Sequence, residues 1–577
     1  MRASLLLRAT ALAVAPVLAV GAQEPPPRFA PSGRLVIPCF GQPIEQITIY
    51  AEAPSVASLR RVPVVARVAR TLHATTQIDV IERFLLFKEG DRCSPLRISE
   101  SERILRAQPF IAEADIFTVQ NPDGSLDIEV HTSDETSIVL GGGVRARSPV
   151  VSNVLIGNAN LNGQGVYASG SWRSGDGFRD GYAGRIIDNQ FLGQTLVAAL
   201  DGERATIGGS WRLQAGRPFF TDLQRVAWRA RSGMSRGLVE LRQPDGGRPG
   251  VELRRKYFEL GGIARVGSPG RLALFGLSMN GEDEDPGNRL LVGDSGVIHD
   301  VGPVPTVYSS HRIARLNALL GVRDIHFVRR AGLDALTATQ DVPTGVQLGV
   351  EAGRSLAMLG SREEDFFLAS DLYLGRSSGS TTTRLQAQGE GRRQAGGTAW
   401  DGILTTGRLT HQYKVSAANL EQYVLEWAGG FQQRTPFQLL LGVPEGGVRG
   451  YESSTFAGGQ RLVARAEHRY TYGAVRKLAD VGVAMFADAG KQWAGDVPFG
   501  VTTPVKASLG VSLLAAIPAR SARLWRADLA FPLSRGAGAP WTLTFTNSDR
   551  TAFVFRDVRD VAVGRELTVP SSIFAWP

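Results

Sequence analysis

The residue with the most chemistry to offer is an arginine in a loop. Gly447-Val448-Arg449-Gly450-Tyr451 lies in the long, Gly-rich stretch from Thr435 to Gly459. Glycines on either side allow a tight turn that presents the side chain. The planar guanidinium grips a carboxylate bidentately and does not deprotonate. Two acids downstream could receive it: Glu467, within Arg461 to Tyr470, and Asp488, within Phe486-Ala487-Asp488-Ala489-Gly490-Lys491-Gln492-Trp493. Strand phase puts Phe486, Asp488 and Gly490 on one face and Val483, Met485 and Ala487 on the other, apolar one. An ion pair of this kind positions a loop; it catalyses nothing. Reactive constellations are missing elsewhere: seven His residues carry no HExxH or paired metal spacing, and there is no P-loop and no GxSxG elbow. The run Glu282-Asp283-Glu284-Asp285 reads as a solvated loop, with a weak cation site as the alternative. The expectation is a protein that is no enzyme and needs no metal or cofactor.

What must position these residues begins with export. Arg2 and Arg8 precede an uncharged apolar run, Ala9 to Val20, and Val20-Gly21-Ala22 is a small-residue cleavage site, so 1–22 read as a secretory signal peptide. Residues 23–42 are Pro-rich and read as a linker. Between 43 and 134 the patterns are mixed. Ile44, Ile47 and Ile49 open a strand; Val64 to Thr71 and Ile78 to Phe87 are helix-like. Ser99 to Ala107 is a further helix, with Ser99 and Glu102 at capping-box spacing. Ala114 to Val119 and Leu126 to Val130 alternate as strands around the turn Asn121-Pro122-Asp123-Gly124. The order is strand, helix, helix, strand, strand. Cys39 and Cys93 are the two cysteines, with no CxxC. In an oxidising compartment they are expected to form a disulfide that ties the linker to the 43–134 unit. A Cα separation well beyond about 7 Å would forbid it.

After Thr136 helical periodicity stops, and about 410 residues alternate in short segments punctuated by Gly, Asp, Asn, Pro and Ser. Tyr423, Leu425, Trp427 and Phe431 share a face opposite Glu426 and Gln432. Leu462, Ala464, Ala466 and Tyr470 oppose Arg461, Arg465, Glu467 and Arg469. Trp525, Leu529 and Phe531 oppose Arg526 and Asp528, and Trp541, Leu543 and Phe545 oppose Thr542, Thr544 and Thr546. Period two alone fits a soluble sandwich as well as a membrane barrel. Length, aromatics near strand ends and opposite charges crowded on the polar face favour the barrel. No apolar run reaches the roughly 18–20 residues of a spanning helix. The formal charge of +9 is spread along the chain and met by 55 acidic residues, so nucleic acid is not an expected partner.

Gly447 to Tyr451 with the later Phe486 to Trp493 segment resembles the VRGY/F loop and FxDxGxxW strand of the BamA/TamA (bacterial surface antigen) superfamily. Gly510 and Arg526-Ala527-Asp528 are similar to its next blocks. Asn160-Leu161-Asn162-Gly163-Gln164-Gly165 and Asp188-Asn189-Gln190-Phe191-Leu192-Gly193 are similar to segments near its barrel start. The 43–134 unit resembles a single POTRA domain. The resemblance implies a mainly β chain: a sixteen-stranded antiparallel transmembrane β-barrel over 135–548, behind a small α+β POTRA-like periplasmic domain. The chain departs from the family in carrying one such unit where assembly factors carry several, and in 549–577, a C-terminal extension past the last strand. It implies an outer-membrane location, lipid and unfolded client proteins as partners, and work on inserting or translocating those clients. It implies that Arg449 meets Asp488, with Glu467 as the other acid within reach. It also implies a seam between the first strand, Ser137 to Val144 with Gly141, Gly142 and Gly143, and the last, with Trp541, Leu543 and Phe545. A passive structural barrel and a secretion pore dedicated to one protein are the competing readings.

Overall fold

The computed structural model describes residues 28–54 and 74–565, apart from 122, 124, 145–150, 175–179, 295–296, 307, 444–445, 477, 535, 537 and 550–558. Its N-terminal unit contains β1 (Ile44–Glu52), α1 (Ile78–Glu82), α2 (Pro95–Arg106), β2 (Ile111–Gln120) and β3 (Leu126–Asp134). β3 is central: it runs parallel to β1 and antiparallel to β2. Leu126, Ile128 and Val130 of this middle strand are therefore fully buried, against Ile44, Val80, Ile81, Phe84, Ile104, Leu105 and Phe110.

Three expectations for this unit need correction. α2 starts at Pro95 after Ser94, four residues before Ser99. Proline suits that first position because it has no N–H to leave unpaired. Ser99 lies inside the helix, and Glu102 is buried, accepting the Ile116 N–H of β2 at 2.9 Å. α1 stops at Glu82, although Phe84 and Phe87 still enter the core. The described part of 23–42 is packed rather than free. Phe29 bridges Leu35, Val36 bridges Val119 on the edge of β2, and Cys39 is bonded to Cys93 with a Cα–Cα distance of 5.6 Å. Prolines deny this segment a continuous ladder but allow isolated bridges. The segment Val64 to Thr71 and part of the 121–124 turn lie outside the described residues.

From Ile138 onward each strand pairs antiparallel with the next, and the strand order is cyclic, setting the last strand, Thr542–Asp549, beside the first, Ile138–Val144. Twenty-two strands stand in that order. Two of them, Arg289–Asp294 and Val297–Pro303, form a hairpin bypassed by direct pairing of Arg271–Pro286 with His311–Ala331, which leaves twenty in the wall among the described residues. The expected sixteen is thus too few. That number came with the resemblance; the alternation itself does not fix it. Four short strands between Val166 and Arg217, of eight or nine residues, each make a separate pass. An even number is what lets first and last strands meet antiparallel.

The two faces of this wall are inverted relative to a soluble protein. Met485 is 60% exposed while Phe486 beside it is 4%; Leu513 is 67% exposed and Ser512 2%. Outward-facing Tyr423, Leu425, Leu509, Val511, Trp541, Leu543 and Phe545 are exposed, and inward-facing Glu426, Arg461, Glu467, Arg469, Asp488, Gln492, Arg526 and Asp528 are buried. A sandwich would bury the first set. The acidic run obeys the same rule, correcting the loop reading. Glu282 and Glu284 lie within Arg271–Pro286 and turn inward, where Glu282 pairs with Arg255 at 2.9 Å and Glu284 with Arg255 and with His311 at 2.8 Å. Asp283 and Asp285 turn outward to Arg312 and Ser310. Among the described residues no helix is long and apolar enough to cross a membrane.

The Cys39–Cys93 bond closes a loop of 54 residues. Replacing both cysteines by serine is expected to cost the N-terminal unit about 4 kcal/mol on the chain-entropy model. Urea-dependent proteolysis of that unit checks this, the wall acting as an internal control.

Candidate functional site

The loop between the strands Asn419–Phe431 and Gln460–Val475 folds back along the inner face. It is stitched by a small pairing, Leu439–Leu440 with Ala457–Gly458. Wall side chains seize its backbone: Arg461 donates to Leu440 O at 2.5 Å, Arg465 to Gly447 O at 3.0 Å, and Gln492 to Leu439 O. Leu441, Val448, Tyr451 and Val463 form a fully buried apolar knot with Phe456. The Tyr451 hydroxyl reaches Ser534 Oγ at 2.8 Å and Ala507 O at 3.2 Å.

Arg449 sits at the centre. Its Nε and Nη2 donate to the two oxygens of Asp488, each at 2.7 Å, and its backbone N–H adds a third bond at 3.2 Å. The guanidinium lies 3.4 Å from the centroid of the Phe486 ring, and Nη1 is 3.4 Å from Glu467 and 3.8 Å from Asp528. Each residue of the Phe486 to Gly490 segment has a physical task. Phe486 supplies a face for the cation, and Asp488 supplies the fork's partner. A Cβ on Gly490 would come within 2.5 Å of Val448 Cγ2, so only glycine lets that side chain lie flat on the wall. Gly510 does the same for the Phe486 ring, which a Cβ there would meet at 2.2 Å. Gly450 adopts φ +92°, the left-handed turn that aims Arg449 inward.

Two further arginines complete the cluster. Arg526 donates to both Glu467 oxygens, at 3.1 and 2.9 Å, and to Asp528 at 3.1 Å; Arg469 reaches Glu467 at 3.1 Å. Three cations face three carboxylates, so charge balances inside the wall. Sequence reading had placed Arg469, Arg526 and Asp528 on the polar face without assigning them to the site. Their phase was the available signal, but which strands stand opposite was not.

At the end of the wall nearer the N-terminal unit, the two Asn/Gly segments serve as docking turns. Asn160 Nδ2 donates to Thr76 Oγ1 at 2.8 Å, and Thr76 in turn donates from N and Oγ1 to Asp134, both at 2.7 Å. Burial pushes the Asp134 carboxyl up to about 6, against the pull of those bonds. Gln190 Nε2 reaches Val80 O at 2.8 Å. Around the rim, Arg106 grips Asp341 bidentately at 2.9 Å, Arg103 donates to Phe220 O at 2.8 Å, and Ser521 donates to Glu135 at 2.7 Å. The unit is thus tied to several turns of the same rim.

The seam residues are placed as follows. Gly141, Gly142 and Gly143 pair with Leu155, Val154 and Asn153 on the second wall strand. Leu543 and Phe545 pair with Leu529 and Ala527, and with Trp541 they lie on the outer face. The first and last strands have seven and eight residues, against twenty-one in His311–Ala331. Neighbouring wall strands elsewhere share a residue-by-residue register. These two stand side by side and close the strand order.

No protein-family model matches the chain. A search of curated proteins returns no match. Among solved structures, the chain is similar to BamA from Haemophilus ducreyi lacking POTRA domains 1-3 (15% identity, 90% of this chain and 88% of that one, TM-score 0.36). It is also similar to CdiB from Escherichia coli (11%, 88% and 76%, TM-score 0.45) and CdiB from Acinetobacter baumannii (11%, 88% and 74%, TM-score 0.39). These likenesses are loose, and the reading below stands on the chain's own geometry.

Arg449→Ala leaves the Asp488 carboxylate enclosed without its main partner, a local cost of about 3–5 kcal/mol. The expected outcome is a folded wall with a displaced loop, seen as protease cleavage between 435 and 459. Arg449→Lys should rescue only in part, because an ammonium cannot make the two-pronged contact.

Proposed function

We propose that this chain is an outer-membrane β-barrel that inserts client proteins into that membrane or passes them across it, its N-terminal unit serving as a periplasmic POTRA domain. The supporting observation is that the two motifs carrying the resemblance, Val448 to Tyr451 and Phe486 to Gly490, meet in space through Arg449. The long loop is folded inward and pinned by a balanced cluster of six charges, which holds the two motifs in one fixed arrangement. The work is mechanical: no step requires a nucleophile, metal or cofactor.

In this reading the apolar outer face sits in lipid, and every backbone group there must be paired within the protein. The seam is the one junction that chain connectivity does not enforce. Three glycines weaken the first strand, and both partners are short. An opened edge exposes unpaired N–H and C=O groups in hydrocarbon, each costing several kcal/mol, and a client strand that pairs with them removes that cost by β-augmentation. β1 offers a second edge. Val36 partly occupies the outer side of β2, and on β1 only the start is covered, by bonds of Ile44 to Gly90 and Asp91 and of the Ile47 N–H to Glu89, with no described strand paired opposite β3.

Two measurements test this. Leu425→Arg or Met485→Arg, on the outward face, is expected to cost about 2–4 kcal/mol near the bilayer midplane in folding into lipid vesicles; a negligible cost would argue against lipid contact. Depleting the protein should lower many outer-membrane barrel proteins together. Loss of one secreted protein alone would favour a dedicated pore, and an unchanged proteome a passive barrel.

A further inference from the structure

The last wall strand ends at Asp549, level with Arg523, whose guanidinium reaches Thr136 O and Pro109 O at the rim that carries the N-terminal unit. The next described element, α3 (Arg559–Gly564), lies elsewhere: against the inner face near the opposite end, where the loop folds in. Asp560 meets Arg461 Nη1 at 2.5 Å and accepts the Leu440 N–H of the loop at 2.9 Å. Val561 is 1% exposed, packed among Leu404, Ala428, Phe437 and Leu439. Arg565 pairs with Glu390 at 2.9 Å and donates to Thr406 at 3.3 Å. These wall residues belong to the strands Thr381–Gln394, Trp400–Lys414, Asn419–Phe431 and Gln460–Val475. Glu390, Leu404, Thr406, Ala428 and Arg461 are buried, while Leu409, Tyr423 and Leu425, at outward positions of these strands, are exposed. The ten Cα–Cα steps from Asp549 to Arg559 reach at most about 33–36 Å, comparable to the height of a membrane barrel wall.

We propose that α3, within the C-terminal extension, is a resident plug element seated in a docking site built for it on the inner wall. The site reads an anion-binding, an apolar and a cation-binding position in turn. Arg461 takes Asp560, the Leu404–Ala428–Phe437–Leu439 hollow takes Val561, and Glu390 takes Arg565. Because Asp560 also holds the loop backbone at Leu440, plug and loop brace each other. The helix therefore occupies lumen beside the folded loop. This rests on the wall being a membrane barrel and is independent of client handling.

The test is a cysteine pair, Asp560→Cys with Arg461→Cys, in the full-length protein, joined by oxidation or a short bifunctional reagent and reconstituted in planar bilayers. Efficient joining, low conductance when joined, and a severalfold rise on deletion of 550–577 are expected. A synthetic peptide of 556–577 should re-block the truncated form. Asp560→Arg, a single change that leaves every wall strand intact, should raise conductance like the deletion. Failure of the pair to join would overturn the placement. Equal conductance of joined and truncated forms, including none in either, would overturn the plug. The client-handling reading is judged separately, by the depletion experiment.

Discussion

A wall of strands with an apolar outer face sends most of its charged residues inward, with outward charges such as Asp283 and Arg312 paired near strand ends. Each strand alternates, so every outward Leu or Tyr brings a neighbour that points to the enclosed side. There a lone charge costs several kcal/mol in lost solvation unless it is matched. The inner face of this protein answers with pairing. Arg315 holds Asp365 with both side chains fully buried, Arg255 serves Glu282 and Glu284, and Arg449, Arg469 and Arg526 share Asp488, Glu467 and Asp528. The pattern that makes the wall fit for lipid thereby makes its interior a lattice of ion pairs.

That lattice gives the loop something to grip. A loop entering a uniformly apolar interior would bury its backbone polar groups without partners. Here Arg461, Arg465 and Gln492 donate to three of its carbonyls, and Asp488 accepts from the Arg449 backbone as well as its side chain. The close approach depends on missing side chains: Gly490 lets Val448 touch the wall, and Gly510 admits the ring on which Arg449 rests. Charge sets the partner and glycine sets the distance.

Alternation made the faces legible in the sequence. The inward phase of Phe486, Asp488 and Gly490, and of Arg461, Arg465, Glu467 and Arg469, follows from period two alone, as does the strand Arg523–Pro532. Register and neighbourhood are not encoded that way. Nothing local says that Arg526 will stand across from Glu467, 59 positions away, or that Asp560 will meet Arg461 after 99. The four acids at 282–285 misled for the opposite reason. A dense run looks like a loop until the two-residue period divides it between two faces, each with its own arginine. The helix start failed because Ser99 and Glu102 satisfy a capping spacing by chance, while Pro95, four residues earlier, meets the stricter backbone requirement.

Both ends of the chain come back to the wall, from opposite directions. The N-terminal unit is tied to the rim through Thr76, Arg103, Arg106 and Glu135, and α3 is tied to the far inner face through Asp560 and Arg565. The first wall strand follows directly from the N-terminal unit, with three residues between Asp134 and Ile138, and the last wall strand is joined to α3 by nine residues. The two strands of the seam are therefore the two strands under tether. Lateral movement of Ile138–Val144 must carry or strain the rim contacts of the N-terminal unit, and movement of Thr542–Asp549 must be absorbed within the nine-residue link or draw on α3. The two strands are only seven and eight residues long, so their hold on one another is supplemented by these docked ends. Binding that loosens either end would lower the cost of parting the strands by the amount of docking energy it replaces.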